Sequence, residues 1–320
     1  MLWFEAIFLG IVQGMTEFIP VSSSGHLVIV PYLAGWEHPG LAFDVAMHLG
    51  TAAAVVVYFR RELFAMARGV ITRHPDADAR VYRRLALLVA VASVPVAAAG
   101  LFLEALVGQA FEQPLVVAGS LMVTALLLVI GERRRSVRVR QAAQPSDAEA
   151  QQQPVPPGSG IGGGDDDGPA GRGLLPLGED PVDPAGSSLE RMTVTQALVA
   201  GVFQVAALMP GISRSGSTIS GAMLAGMTRE AATRFSFLLS LPALVGAFAL
   251  SLPDLRQPSD FSGAMIAAGV AASFVSGYVA VRFLVAMVAR DRLTGFAGYC
   301  VFVAVLTIIA YQFLGPPSGV

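Results

Sequence analysis

Apolar residues dominate the chain, and polar interruptions divide it into segments. Six apolar runs are long enough to cross a bilayer as helices, which takes about 20 residues each. These predicted transmembrane helices cover residues 43–59, 85–103, 114–131, 232–252, 264–288 and 295–313. Two further apolar stretches are each broken by a proline and a serine cluster, and we predict that each forms a re-entrant pair of short helices. These pairs cover residues 2–33 and 195–224.

Composition agrees with an all-α integral membrane protein. The 320 residues are 54% hydrophobic and only 14% charged, and the mean hydropathy is +0.63. This profile excludes an ordinary soluble domain, and we expect no nucleic-acid partner. Cys300 is the only cysteine, which excludes an intrachain disulfide and a cysteine metal cluster, so we expect it to be a packed apolar residue. The N-terminus lacks the basic region and cleavage site of a signal peptide.

Charged residues predict the orientation of the chain. Two arginine clusters, at residues 60–84 and 133–140, flank the second and third predicted spans. The positive-inside rule places both clusters in the cytoplasm, and the acidic loop 104–113 outside. Residues 141–190 are rich in Gly, Pro, Ser and Asp, which predicts a disordered cytoplasmic linker. We interpret its triplet Asp165–Asp167 as a solvated charge run rather than a metal site.

The two re-entrant pairs match each other at a constant offset of 191 residues. The matched positions are Gly10 with Gly201, Gln13 with Gln204, Ser22 with Ser213, Ser24 with Ser215, and Gly25 with Gly216. Each pair precedes three predicted spans, so the second copy would enter the membrane from the opposite side. The pattern predicts an inverted-topology repeat of residues 1–140 and 191–320, with the two broken pairs meeting near the membrane midplane.

The first elbow, residues 13–26, carries candidate catalytic groups. Gln13 and Glu17 share one helix face, and a carboxylate at membrane depth is by default a functional residue. Glu17 is a candidate base or ligand of a divalent cation, and His26 a candidate nucleophile or proton donor. Gln13 either orients substrate or water or ties the two helices together. The hydroxyls of this elbow that we expect to contact phosphate belong to Ser22, Ser23 and Ser24.

The second elbow, residues 204–218, has the composition of a phosphate cradle. Arg214 supplies a fixed positive charge, and the start of the following helix exposes unpaired N–H groups. The candidate substrate-binding residues around it are Gly211, Ser213, Ser215 and Thr218. The alternative is that Ser213 only caps a helix while Arg214 extends to the membrane interface. His48, within the first predicted span, is interpreted as a packing or hydrogen-bonding residue.

The motifs resemble those of a known family. Gln13-x-x-x-Glu17, the run 20–26 and the run 210–218 are similar to the undecaprenyl-diphosphatase family, also called the bacitracin-resistance family. The resemblance covers nearly the whole chain except the linker. It implies that the catalytic positions are Glu17, Ser23, His26 and Arg214. The family pattern has Glu or Gln at the position of Gln13, and Gln here leaves one carboxylate in the motif.

This resemblance implies an integral inner-membrane phosphatase whose active site faces the periplasm. Its substrate would be undecaprenyl diphosphate, hydrolysed to undecaprenyl phosphate and inorganic phosphate, so that the lipid carrier is recycled for peptidoglycan synthesis and bacitracin resistance results. Mg²⁺ or Ca²⁺ at Glu17 is the expected cofactor, with no organic cofactor. The alternatives are an inverted-repeat transporter or flippase of a phosphate-bearing anion or lipid, and a binder that sequesters the lipid diphosphate without turnover.

Overall fold

The structure, a computed structural model, describes residues 3–37, 39–108, 113–142, 186–251, 262–290 and 292–316. Within these ranges the chain forms eleven α-helices, and its only β feature is an isolated bridge between Ser187 and Met227. The helices are α1 (Trp3–Phe18), α2 (Ser23–Ala34), α3 (Leu41–Tyr58), α4 (Arg60–Ile71), α5 (Ala77–Gly108), α6 (Pro114–Ala142), α7 (Val194–Ala206), α8 (Arg214–Leu224), α9 (Arg229–Ser251), α10 (Gly263–Val288) and α11 (Thr294–Leu314). The prediction of an all-α protein is confirmed.

Five of these helices, α5, α6, α9, α10 and α11, are long and apolar enough to cross a membrane. The number is six if α3 and α4 count as one broken span. The chain is therefore a multi-pass membrane protein, and each of the six predicted spans falls on one of these helices.

Two pairs, α1–α2 and α7–α8, consist of helices that are each too short to span the bilayer. Their helices have 16, 12, 13 and 11 residues, and at 1.5 Å per residue each is shorter than a hydrocarbon core of about 30 Å. The breaks between them fall at the two elbows, as the prolines and serines predict. A capping box between Thr193 and Gln196 fixes the start of α7.

The short helices pack against long helices of the opposite half. α1 lies along α10, and α7 lies along α5. Matched glycines allow both approaches, because a Cβ on Gly10 would lie 2.3 Å from the Gly269 carbonyl oxygen and one on Gly201 would lie 2.1 Å from the Ala92 carbonyl oxygen. This exchange of partners is what a two-fold related repeat produces, and the inverted orientation of the halves in the membrane stays a prediction.

The chain bends by 76° between α3 and α4, which the sequence reasoning did not anticipate. α4 is amphipathic: Arg60 and Arg68 are exposed, while Met66 and Gly69 are buried. A Cβ on Gly69 would lie 2.6 Å from the Ala79 carbonyl oxygen, so α4 packs closely on α5. The first arginine cluster therefore begins on an ordered helix rather than in a loop.

The described ends of the predicted linker are ordered, so its boundaries differ from the predicted 141 and 190. α6 continues to Ala142. On the other side, Ser187 N–H donates to the Gly226 carbonyl at 2.9 Å, and Leu189 is buried. The buried Leu189 side chain and the backbone pairing with residues after α8 explain why the chain is ordered before residue 190. Residues 143–185 lie outside the described residues.

A buried ion pair joins α6, α9 and the turn before α11. Arg229 Nε and Nη2 donate to the two carboxylate oxygens of Glu132 at 2.7 and 2.8 Å. Glu132 Oε1 also accepts from Leu293 N–H at 3.0 Å. Such a bidentate, fully hydrogen-bonded pair is the form in which charges are tolerated away from water.

Candidate active site

Glu17 is the centre of the polar cluster between the two elbows. Its carboxylate is buried, at 6% relative exposure, one residue before the end of α1. Oε2 accepts from Gln13 Nε2 at 2.9 Å and from Ser23 Oγ, while Oε1 accepts from Arg214 Nη2. Both oxygens are thus occupied, as a buried carboxylate requires.

The first elbow directs Ser23 at Glu17. Ser22 precedes α2 with φ 70° and ψ 99°, the only non-glycine residue with positive φ in the described part of the chain. Its side chain accepts from Gly25 N–H at 3.2 Å and so caps α2. Holding a serine in this conformation costs about 1 kcal/mol or more. The result is that Ser23, the first residue of α2, lies beside the carboxylate at the end of α1.

The second elbow is built in the same way. Ser213 caps α8, and its Oγ accepts from Gly216 N–H at 3.0 Å and shares a hydrogen bond with Ser215 Oγ at 3.1 Å. The capping serines, Ser22 and Ser213, are the matched positions of the sequence repeat. Arg214 is therefore the first residue of α8, where the helix start adds a partial positive charge to that of the guanidinium.

Arg214 reaches across to the first elbow. One nitrogen, Nη1, donates to the Ser240 carbonyl oxygen of α9 at 3.0 Å, and the other, Nη2, donates to Glu17. The Arg214 side chain keeps 17% of its surface exposed, against 4% for Glu17. The guanidinium is therefore fixed at two points inside the bundle and is not extended to the interface.

Backbone groups of each elbow also bond to serine side chains of the other. Gly211 N–H donates to Ser24 Oγ at 3.4 Å, and Ser215 Oγ donates to the Ile19 carbonyl at 3.4 Å. Gly211 has φ 90°, and a Cβ there would lie 2.7 Å from the Val117 carbonyl oxygen of α6. Only glycine combines this conformation with this approach without strain.

The last predicted phosphate ligand, Thr218, is used inside the protein. It is fully buried, and its hydroxyl bonds to the Arg214 carbonyl at 2.8 Å and to Ser236 of α9. Thr124 of α6 similarly accepts from Ser213 N–H at 3.0 Å. These hydroxyls hold the second elbow in place from two sides.

His26 is held away from the Glu17–Arg214 pair. Its Nδ1 bonds to the Ser22 carbonyl at 2.7 Å, and its Nε2 bonds to the Tyr299 hydroxyl of α11 at 2.8 Å. The two rings stack with centroids 5.6 Å apart and 3° between their planes. Both ring nitrogens are thus occupied, and neither bonds to Glu17 or Arg214.

His48, predicted to be a packing or hydrogen-bonding residue, does form a hydrogen bond and also lies at the site. Its Nε2 lies 3.5 Å from Glu17 Oε2, and its Nδ1 bonds to the Asp44 carbonyl at 2.7 Å. The Asp44 carbonyl can only accept, so Nδ1 carries a hydrogen and Nε2 faces the carboxylate. The His48 side chain is 28% exposed and adds a titratable group to the cluster.

The described side chains do not form a metal cage. Among them, no group of three or more His, Cys, Asp and Glu residues lies close enough to hold a metal ion. Glu17, the predicted ligand, already accepts from an arginine, a serine and an amide. These donors compete with a cation for the same lone pairs, so the site does not fit a divalent cation held by protein side chains alone.

Comparison with known proteins decides the family. The family model described as bacitracin resistance protein BacA matches residues 6–153 and 173–306. The chain belongs to the BacA family. The unmatched residues between these segments fall within the predicted linker, and both elbows lie inside the match.

Similar proteins from several bacteria carry the name undecaprenyl-diphosphatase. The protein from Syntrophotalea carbinolica is 38% identical over 94% of this chain and 95% of its own length. The protein from Rubrobacter xylanophilus is 38% identical over 92% of this chain and 93% of its own length. The protein from Geobacter sulfurreducens is 36% identical over 97% of this chain and 98% of its own length. The resemblance inferred from the motifs is therefore confirmed.

The structure brings together most of the residues that the BacA motifs single out. Gln13, Ser23 and Arg214 each donate to the Glu17 carboxylate, and Ser24, Gly211 and Ser215 join the two elbows. Cys300 is a packed residue, as expected, with its Sγ 3.8 Å from the Pro20 carbonyl oxygen.

Four contributors from the long helices escaped the sequence reasoning. They are His48, Thr124, Ser236 and Tyr299, and each lies in a predominantly apolar run. The available signal was the spacing of hydroxyl pairs on one helix face, Ser120 with Thr124 and Ser236 with Ser240, four residues apart.

Proposed function

We propose that this protein hydrolyses undecaprenyl diphosphate to undecaprenyl phosphate and inorganic phosphate. The observation that supports it most directly is the pairing of Glu17 and Ser23 of one elbow with Arg214 of the other. A hydroxyl hydrogen-bonded to a carboxylate and facing a guanidinium is a nucleophile, a base and a phosphate ligand in one cluster. The names of the relatives supply the lipid substrate.

Substrate binding exchanges the partner of Arg214. The terminal phosphate carries more negative charge than a carboxylate, and it accepts from Arg214 Nη2 in place of Glu17. At about 4 Å and an effective dielectric constant near 20, each unit charge on the phosphate gains ~4 kcal/mol from the arginine. The backbone N–H groups at the start of α8 and the serines of the elbows add hydrogen bonds. Glu17 loses its cationic partner and becomes the stronger base.

Ser23 then attacks the terminal phosphorus. Its hydroxyl proton passes to Glu17 Oε2, a P–O bond forms at Oγ, and the bond to the bridging oxygen breaks. Undecaprenyl phosphate leaves with the electron pair of that bond, and its leaving oxygen takes a proton from His26. Water hydrolyses the phosphoserine in a second step: the water gives a proton to His26, and Glu17 returns its proton to Ser23 Oγ as the bond between Oγ and phosphorus breaks. Arg214 stabilises the transferring phosphoryl group in both steps.

The steps above are carried by Glu17, Ser23, Arg214 and His26 alone. Mg²⁺ or Ca²⁺ at Glu17 stays a prediction. Phosphate release by the purified protein, measured after treatment with a chelator and again after addition of each cation, tests this prediction.

The biological role follows from the reaction. Released undecaprenyl phosphate is the recycled lipid carrier for peptidoglycan synthesis, and the description of the matching family adds bacitracin resistance. We propose the bacterial inner membrane as the location, with the site open to the periplasm. The opposite placement of the arginine clusters and of the acidic loop 104–113 supports this orientation.

Purified protein in detergent tests the function. A phosphatase releases inorganic phosphate from undecaprenyl diphosphate in micelles, where no closed membrane exists, and it does so over many turnovers. A transporter or flippase acts only across a sealed vesicle, and a sequestering protein binds substrate without turnover. If no phosphate is released in micelles but lipid moves across the vesicle membrane, the protein is a carrier and the proposed function is wrong.

A further inference from the structure

The contacts of His26 leave one route for its proton. Nδ1 faces the Ser22 carbonyl oxygen at 2.7 Å. A carbonyl oxygen only accepts, so Nδ1 carries a hydrogen in every protonation state that keeps this bond. The nitrogen that gains and loses a proton is therefore Nε2.

Nε2 has one described partner, the hydroxyl of Tyr299 at 2.8 Å. A phenol hydroxyl both donates and accepts. When His26 is neutral, the hydroxyl donates to Nε2. When His26 is protonated, Nε2–H donates to the hydroxyl oxygen, whose own hydrogen then points onward.

His26 and Tyr299 differ in how far they are buried. His26 is 6% exposed, whereas Tyr299 is 42% exposed. The parallel stacking of the rings fixes their relative orientation. The tyrosine therefore lies between a buried imidazole and the exterior of the helix bundle.

We propose that Tyr299 is a positioning residue for His26 and the group through which His26 exchanges its proton. The inference rests on the proposed function, in which His26 returns a proton to the site. In this relay the Nε2–H bond breaks as Tyr299 Oη gains that hydrogen. The original hydroxyl hydrogen passes to a phosphate oxygen or a water molecule. Tyr299 is neutral before and after the transfer, and no further reactant is needed.

Removal of the Tyr299 hydroxyl tests the relay. Tyr299→Phe keeps the stacked ring, and Tyr311→Phe on the same helix is the matched control. Hydrolysis of a short-chain polyprenyl diphosphate in detergent is expected to show kcat lowered about 5- to 10-fold in Tyr299→Phe, the equivalent of one hydrogen bond, with KM unchanged. Tyr311→Phe is expected to match the wild type. Wild-type kcat in Tyr299→Phe, or an equal loss in the control, overturns the proposal.

A double variant shows whether Tyr299 acts through His26. In a His26→Ala background, Tyr299→Phe is expected to cause no additional loss, because the group that it serves is gone. An equal loss with and without His26 would mean that the tyrosine has a structural role only. If Arg214→Ala and His26→Ala are strongly slowed but Tyr299→Phe is fully active, only this inference fails. If His26→Ala is fully active, both this inference and the proposed role of His26 fail.

A measurement on the unmutated protein covers the case in which a variant does not fold. ¹⁵N NMR of protein labelled at histidine distinguishes the two neutral tautomers. The relay requires the Nδ1–H tautomer of His26, with Nε2 as the hydrogen-bonded acceptor. Observation of the Nε2–H tautomer in the neutral state contradicts it.

Discussion

Glu17 and Arg214 lie 197 residues apart in the chain, and their side chains form one ion pair inside the helix bundle. The contact joins the end of α1 to the start of α8, so neither elbow is complete by itself. Each partner neutralises the buried charge of the other. In the proposed reaction, the substrate phosphate replaces Glu17 as the partner of Arg214. The pair therefore serves both the folded state and the proposed reaction.

The geometry predicts a phosphoserine intermediate at Ser23. Ser23 Oγ donates to Glu17, whereas Ser24 Oγ accepts from Gly211 N–H. We expect acid-stable label on Ser23 after rapid quenching with substrate labelled in its terminal phosphate. Ser23→Ala should lose the label and turnover, while Ser24→Ala, which removes the neighbouring hydroxyl, should keep the label. Label that is lost in acid and absent from Ser23 would point to a phosphohistidine instead.

His48 is predicted to support the activity without being essential. Its imidazole lies 3.5 Å from the carboxylate that accepts the serine proton. Loss of one polar neighbour of this kind corresponds to about a 3- to 10-fold reduction in rate. We therefore expect kcat of His48→Ala to fall by this amount, with a larger fall in Glu17→Gln.

The control for His48 is His74→Ala, which removes an exposed histidine between α4 and α5. This variant should behave as the wild type in the same assay. A His48→Ala rate equal to that of the wild type would show that the imidazole only fills space.

Much of the site was predictable because its local signals are strong. Proline and serine mark both elbows, and the capping roles of Ser22 and Ser213 follow from sequence spacing. A carboxylate and a guanidinium in apolar surroundings must find partners, which predicts that Glu17 and Arg214 meet.

The remaining contributions depend on tertiary packing. His48, Thr124 and Tyr299 reach the site from long apolar helices, where a single polar residue has no local pattern that distinguishes function from packing. The occupied nitrogens of His26 likewise depend on Ser22 and on a tyrosine 273 residues away. The bend before α4 has no proline or glycine to mark it.

Gly211 is predicted to be a stability position as well as a motif residue. Gly211→Ala would place a methyl group against α6 in a backbone conformation that disfavours it, at a cost of about 2 kcal/mol or more. Gly246→Ala is the matched control, because its Cβ meets nothing within 4 Å. Thermal unfolding in detergent should show a lower Tm for Gly211→Ala only. Equal Tm values would mean that the elbow–α6 contact is looser than described.

The ion pair of Glu132 and Arg229 is predicted to stabilise the bundle as a unit. Glu132→Ala leaves a buried guanidinium without its partner, which costs about 3 kcal/mol or more. The double variant Glu132→Met, Arg229→Met removes both charges and should recover part of the lost Tm. A double variant that is less stable than Glu132→Ala would contradict this prediction, because the ion pair would then stabilise the fold more than apolar packing does.

The central claim is that the two elbows act as one catalytic unit, and a double-variant cycle on turnover tests it most directly. Rates of phosphate release, measured with radiolabelled undecaprenyl diphosphate in detergent, are compared for the wild type, Glu17→Gln, Arg214→Gln and the double variant. Residues of one unit are not additive, so the double variant should be no more than about threefold slower than the slower single variant. Losses that multiply, or near wild-type turnover in Arg214→Gln, would contradict the claim.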